Sequence, residues 1–144
     1  MSGNPITFRS LGPEDAEVLD RVKDGVFDAP LDPSLLWAFL ATRVNEMIVA
    51  LDRGEVIGFA YGTVLMGPDK PKEFFVNEIG VHEDYQGRGI GRRLMERLHR
   101  SAIDRGCEML WVLAEDRNAG AGGFYRALDG AEMQGISMYD WDLL

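Results

Sequence analysis

The apolar residues of this chain change period several times, and each change marks an element. Residues 6–11 alternate, Ile6 and Phe8 being separated by Thr7 and Arg9, which predicts a short strand. Gly12-Pro13 breaks it. Pro13 suits the first turn of a helix, Glu14 and Asp15 follow where the helix dipole favours acids, and Val18, Leu19, Val22 and Val26 then mark one helical face. After a turn at Asp28-Ala29-Pro30, Asp32 can cap a second helix with Pro33 at its first position. Leu35, Leu36, Trp37, Phe39 and Leu40 are too dense for one narrow stripe. The second helix is therefore either deeply buried, the expectation here, or keeps apolar surface for a ligand or a second subunit.

Residues 47–51 read as a strand, Asp52-Arg53-Gly54 as a hairpin turn, and residues 56–66 as a second strand. Gly58 and Gly62 interrupt that strand, which predicts close approach by another backbone. Residues 67–72 are a polar connection, read as a loop over a site. Residues 73–81 carry Phe74, Phe75, Val76, Ile79 and Val81, a strand composition. From Ile90 the apolar positions are Ile90, Leu94, Met95, Leu98 and Ala102, one face of a helix ending near Arg105 before Gly106. Then follow a compact apolar strand at 109–114 and a short helix at 119–128, weakened by Gly120, Gly122 and Gly123. Residues 132–141 read as one or two strands around Gly135. The order β-α-α-β-β-β-α-β-α-β predicts a mixed α/β class.

Length sharpens this to one domain over residues 1–144, with a real core. At 46% apolar residues the chain should fold rather than stay disordered. There is no 18-residue apolar run to cross a membrane, residues 1–8 lack the pattern of a signal peptide, and the single cysteine, Cys107, excludes an intrachain disulfide. These features point to a cytoplasmic protein. A net charge of −9 argues against a nucleic-acid partner. It suits a cationic substrate, and it equally suits an acidic protein kept soluble by its charge.

Charge is unevenly spread. Between Gln86 and Arg100 stand Arg88, Arg92, Arg93, Arg97 and Arg100 against one acid, Glu96. The same stretch opens with Gly87, Gly89 and Gly91, which cost up to about 1 kcal/mol each inside a helix. Lacking Cβ atoms, they let main-chain N–H groups converge at a helix start that already carries unpaired donors and a positive dipole end, which makes an anion site. The alternative is a glycine turn before a helix with a solvated arginine face. Walker A needs Gly-Lys-Ser/Thr, which is absent, and the dinucleotide pattern needs Gly where Arg92 stands.

What fits is Q-x-x-G-x-G, read as Gln86, Gly89 and Gly91 between a strand and a helix. This resembles the acetyl-CoA pyrophosphate loop of the GNAT superfamily of N-acetyltransferases, whose element order matches nearly the whole chain. The resemblance implies a single-domain GNAT fold, a mixed, mostly antiparallel twisted sheet with helices on both faces. It implies that Gln86, Gly87, Arg88, Gly89, Ile90, Gly91 and Arg92 hold the acetyl-CoA pyrophosphate. Ile79, Gly80 and Val81 offer main-chain bonds to the pantetheine, with the Val81 amide as oxyanion donor, and Asn118 contacts the pantetheine region. No metal is implied.

Acetyl transfer to an amine needs a base for the ammonium, a donor for the carbonyl oxygen and an acid for the leaving thiolate. Tyr125, seven residues beyond Asn118, matches the acid of the family. A phenol with a pKa of about 10 is protonated at neutral pH. The alternative is a core tyrosine beside Phe124. Glu78 is the candidate base: strand alternation puts it on one face with Val76 and Gly80, and Val76, Ile79 and Gly80 should desolvate it. The alternative is an ion pair with an arginine. His82 and His99 read as loop and helix-surface histidines, and Cys107 as core.

Val26-Phe27-Asp28, residues 74–92, residues 114–125 and Met138-Tyr139-Asp140 are similar to the small aminoglycoside 3-N-acetyltransferase branch. In that branch acids after the fifth strand face the polycationic sugar, and Glu115 and Asp116 occupy that place. Leu128-Asp129-Gly130 departs from the family's Leu-Gly-Phe, which touches substrate-side geometry more than cofactor binding. The function implied is acetyl transfer from acetyl-CoA to a primary amine of a small cationic molecule, such as an aminoglycoside. Protein or peptide N-acetylation, or acetyl-CoA binding without turnover, are the alternatives. The dense second helix and the last strand would suit a homodimer.

Overall fold

Five strands form one sheet in the order β1-β2-β3-β4-β5 in a computed structural model that describes residues 5–144. Residues 1–4, part of the stretch read as lacking a signal peptide, lie outside the described residues. β1 (Thr7–Ser10), β2 (Asn45–Asp52), β3 (Glu55–Gly67) and β4 (Lys70–Val81) pair antiparallel. β5 (Met109–Val112) joins β4 in parallel. Antiparallel neighbours can be joined by tight turns. The parallel pair requires a crossover, which α2 (Ile90–Asp104) supplies.

The turns follow their residues. Arg53 and Gly54 both take positive φ, 51° and 80°, the left-handed pair a two-residue hairpin needs. Between β3 and β4, Gly67 pairs with Lys70. The polar connection at 67–72 is therefore a tight hairpin of Pro68 and Asp69, with Lys70 and Lys72 in the strand, and not a loop over a site. Gly62 sits where a Cβ would strike the Phe75 carbonyl and the Phe74 ring, and a Cβ on Gly58 would lie 3.2 Å from the Gly80 carbonyl. Both glycines thus serve the close backbone approach that their position in the strand predicts.

Ile48, Val49 and Ala50 are consecutive and fully buried, so both faces of β2 are covered. On one face Met47, Val49, Val56 and Phe59 cluster with Leu11, Leu19, Val26 and Leu40. These come from the segment before a 3-10 helix (Pro13–Asp20), that helix, the chain after it, and α1 (Pro33–Ala41). On the other face α2 packs across β2, β3, β4 and β5 and buries Leu94 and Leu98 completely. Burial of each stabilises the fold by about 1.5–3 kcal/mol. The C-terminus of α2 closes as expected. Gly106, at φ 79°, donates to Ile103 and Cys107 donates to Ala102, which satisfies two of the helix's terminal carbonyls.

Three further expectations fail. The helix predicted through Val26 stops at Asp20, because the chain finds better backbone partners on β3. Val56 donates to the Arg21 carbonyl at 2.8 Å, Lys23 donates back to Val56 at 3.0 Å, and Val22 bridges Val56 in parallel. Second, α1 is capped by Asp32, which accepts from Ser34 and Leu35, yet of its own residues only Leu40 is buried. Leu35 and Trp37 are 69% and 62% exposed. The helix packs on the 3-10 helix and on β2.

The chain from Ala114 onward is a separate compact unit holding α3 (Ala119–Ala127). Asn118 caps it, its side-chain oxygen accepting from the Ala121 amide at 3.0 Å. The third failure lies here: among the described residues, 128–144 contain no strand, and Met133, Ile136, Met138 and Trp141 are exposed. Apolar composition favours an extended chain, but a strand exists only through a partner's hydrogen bonds. No described helix is long and apolar enough to cross a membrane.

Candidate functional site

The glycine loop lies between the end of β4 and the start of α2. Gly87 and Gly89 take φ of 78° and 77°, with Arg88 between them, and a Cβ on either would meet nothing within 4 Å. These glycines are required by backbone conformation and not by crowding within the protein, and the space over them is open. Alternation of left-handed glycines with an ordinary residue turns successive N–H groups toward a common point, which favours an anion. Gly89 is the N-cap of α2 and no side chain caps that turn. The first-turn donors of Ile90 and Gly91 therefore point beyond the helix end. These features fit the pyrophosphate of acetyl-CoA. Ile90 is 2% exposed, so its side chain anchors the helix and its main chain is what remains for a ligand.

The polar side chains of the loop are tied back to the protein. Gln86 donates from Nε2 to the Val81 carbonyl at 3.0 Å, and so clamps the loop to the last residue of β4. Arg88 donates to the Asp84 carbonyl at 3.3 Å and lies 4.9 Å from the Tyr85 ring centroid. Arg93 and Arg97 lie over Phe8 of β1, at 4.3 and 5.9 Å, so two of the five arginines are engaged on β1. Arg92 is the third residue of α2.

β4 prepares the other half of this unit's site. β5 pairs with it only over Glu73–Val76, so the rest of the strand toward Val81 has no partner in the sheet on that side. His82 donates to the Ile57 carbonyl of β3 at 2.9 Å. Successive strand amides point to opposite sides, so the Val81 amide points away from β3, and that of Ile79 does likewise. Both point to the side of β4 that β5 leaves unpaired, the geometry that main-chain recognition of the pantetheine amides needs. Gly80 has a different reason to be glycine: a Cβ there would stand 2.8 Å from the Phe59 ring.

Glu78 is not where simple alternation puts it. Tyr61 pairs with Glu78 but Gly62 pairs with Val76, so Asn77 is an extra residue, a β-bulge. Cross-strand partners share a face. Glu78 and Gly80 therefore lie on the Phe59 and Tyr61 face, and Val76 lies on the opposite one. The neighbours of Glu78 on that face are thus aromatic residues of β3, and Val76 is not among them. Nor is there an ion pair with arginine among the described residues; Tyr61 Oη donates to Glu78 Oε1 at 3.0 Å instead. Burial first, then the hydrogen bond to Glu78 and the charges of Glu78 and Asp28, push the Tyr61 phenol up to about 12. Tyr61 was not visible in the sequence as a site residue, since only the register across β3 and β4 brings it to Glu78.

In the unit from Ala114, Asn118 uses its side-chain oxygen as a cap. Tyr125 is half-buried, its ring edge-on to Phe124 with centroids 5.2 Å apart, and burial raises its phenol above the ordinary value. Glu115 and Asp116 are exposed in the turn before α3, Glu115 pairing with Arg117 at 3.4 Å. Both histidines are held to the backbone through Nδ1. His82 Nδ1 accepts from the Asp84 amide at 3.1 Å, which leaves the proton of the neutral ring on Nε2. His99 Nδ1 lies 3.0 Å from the Met95 carbonyl within α2.

The five-stranded sheet with its crossover helix and glycine-headed α2 defines an acetyltransferase-type fold, and the chain belongs to the acetyltransferase (GNAT) family, whose model matches residues 16–129. It is 36% identical over 96 residues to the N-alpha-acetyltransferase RimI of Mycobacterium tuberculosis, a stretch covering 65% of this chain and 60% of that one. It therefore spans about three-fifths of the length of that curated relative. Among solved structures it is similar to an aminoglycoside acetyltransferase from an uncultured soil metagenomic sample, in complex with sisomicin, with a TM-score of 0.81 at 19% identity, covering 96% of this chain and 97% of the other. It is likewise similar to a ribosomal-protein-alanine N-acetyltransferase from Brucella melitensis biovar Abortus, with a TM-score of 0.73 at 20% identity, covering 96% and 100%. At these identities the structures establish the fold. Together the relatives support the superfamily without selecting the aminoglycoside branch within it.

Proposed function

We propose that this protein is an acetyl-CoA-dependent N-acetyltransferase that acts on a primary amine of a small cationic acceptor, of which an aminoglycoside is the leading example. The observation that carries the reading is the pair of left-handed glycines at the head of α2, with open space above them and no side-chain cap. Gln86, Gly87, Arg88, Gly89, Ile90, Gly91 and Arg92 form the diphosphate cradle, and Ile79, Gly80, Val81 and Asn118 meet the pantetheine. Bound acetyl-CoA supplies the activated acetyl thioester. Glu78 takes the proton of the acceptor ammonium, directly or through one water, which frees the nitrogen lone pair. The Val81 N–H donates to the acetyl oxygen as that oxygen gains charge. Tyr125 Oη gives its proton to the departing sulfur. Glu115 and Asp116 attract the acceptor's remaining positive charge, in keeping with a net charge of −9.

One observation favours a second reading, acetylation of a peptide or protein amine: the 36% identity to a RimI enzyme. A panel of aminoglycosides, polyamines and peptides, followed by release of free thiol from acetyl-CoA, separates the two. Turnover of a small polycation supports the first, and turnover of peptides alone supports the second. Tight acetyl-CoA binding with no turnover of any amine leaves the protein a binding module.

A further inference from the structure

We infer that Tyr61 is a positioning residue for the acceptor amine, fixing the Glu78 carboxylate through Oε1 so that Oε2 receives the ammonium proton. This rests on the base role proposed for Glu78. The observations behind it are independent of the cofactor loop. Glu78 follows a bulge at Asn77, which turns its side chain onto the face of β3 that holds Tyr61. The hydroxyl donates to Oε1 at 3.0 Å, and no other side chain among the described residues bonds that carboxylate. The Tyr61 ring is itself held on two sides. Phe59 stacks on it with centroids 5.8 Å apart, and Phe39 of α1 meets it edge-on at 5.3 Å. A rigid ring thus delivers one hydrogen bond to one oxygen.

The chemistry follows from that division. A flexible glutamate at the surface samples several rotamers, and only those that reach the acceptor nitrogen are productive. With Oε1 held, the second oxygen keeps one position. The N–H bond of the ammonium breaks, the proton passes to Oε2, and the electron pair stays on nitrogen. The Tyr61 phenol, pushed up to about 12, is protonated at neutral pH and its hydroxyl is engaged on Oε1, so Tyr61 acts through Glu78.

A double-mutant cycle in the full chain tests this, with wild type, Tyr61→Phe, Glu78→Gln and the double variant assayed on the most active amine of the panel. Tyr61→Phe keeps the ring and removes only the hydroxyl. It should lower kcat/KM for the amine by about 10- to 150-fold, the size of a hydrogen bond to a charged group, with KM for acetyl-CoA within twofold of wild type. In the Glu78→Gln background the same change should do almost nothing, because residues that act as one unit are not additive. Multiplying losses would overturn the inference while leaving the proposed function intact, and so would an unchanged kcat/KM in Tyr61→Phe. If Tyr61→Phe no longer binds acetyl-CoA by calorimetry, Tyr61 is a packing residue and the inference falls. If wild type turns over no amine, the proposed function fails and this inference fails with it.

Discussion

Tyr85, one residue before the glycine loop, donates its hydroxyl to the Asp52 carboxylate in the β2–β3 turn, 33 positions earlier in the chain. That hydrogen bond is the main reason its phenol lies above the ordinary value. The same ring carries the Arg88 guanidinium on its face. Tyr85 thus ties the loop to a hairpin whose own geometry is fixed by Arg53 and Gly54. The expected consequence is that Tyr85→Phe frees the loop without unfolding the sheet. Its Kd for acetyl-CoA, read by calorimetry, should rise about 3- to 10-fold, as expected for loss of one partly exposed hydrogen bond and the order it imposes. An unchanged Kd would mean that the Gln86 clamp on Val81 holds the loop alone.

Gly89 separates strain from occupancy. At φ 77°, with nothing within 4 Å of a Cβ, Gly89→Ala costs only the left-handed penalty of about 1–2 kcal/mol in the free protein. Gly135, at φ 82° and equally open, is a control for that penalty. Thermal melts should show comparable, small losses for Gly89→Ala and Gly135→Ala. Acetyl-CoA should bind the Gly135 variant normally and Gly89→Val at least about 100-fold more weakly, since a branched side chain would fill the space meant for the diphosphate. Equal binding by all three proteins would remove the loop from the site.

These two sites differ in how far the sequence reveals them. The loop is legible because its requirement is local: Gly87 and Gly89 stand where the backbone turns left-handed. The same holds for the Asp32 cap, the Arg53-Gly54 turn and the apolar face of α2, each set by residues within one or two turns of chain. Glu78 is legible as a residue but not in its orientation. Period-two reading counts every residue, and the bulge at Asn77 skips one, so the face is set by the pairing across β3 and β4. Tyr61 reaches Glu78 by that same non-local register, and Asp52 reaches Tyr85 by a contact across 33 positions of chain. Val22 and Val26 have helical spacing, yet both serve the core without a helix, Val22 through its bridge to Val56. Residues 132–141 have strand composition and no strand, since composition does not supply a partner.

Gly62 tests the bulge itself. It pairs with Val76 immediately beside the irregularity, and a Cβ there would fall against the Phe75 carbonyl and 2.5 Å from the Phe74 ring. Phe74 is fully buried and cannot move aside. Gly62→Ala should therefore destabilise the protein by about 2–3 kcal/mol, the range of overpacking in a tight core. Gly58→Ala, whose Cβ would stand 3.2 Å from the Gly80 carbonyl, should cost less. Denaturant unfolding of the two variants beside wild type gives the order directly, and a Gly62 variant as stable as wild type would refute the close approach.

Tyr125 can be tested through pH, and the sign is fixed by its environment. Burial disfavours the phenolate, so the folded protein holds the Tyr125 proton more tightly than an unfolded chain does. An acid must be protonated to act, so kcat should stay level until the pH passes the ordinary phenol value of about 10, and fall only beyond it. The same shift makes a stability contribution that is complete below about pH 10 and is lost as pH rises through the folded value. Tyr125→Phe should lower kcat by about 10- to 100-fold, with KM for acetyl-CoA little changed, and its stability should decline less steeply in alkali than that of wild type. Rates for both proteins between pH 7 and 10.5, with parallel thermal melts, check each part. An alkaline loss of kcat centred well below pH 10 that disappears in Tyr125→Phe would mean that the phenol is needed at a pKa its burial does not allow, and a variant with unchanged kcat on every active amine would mean that another group protonates the sulfur.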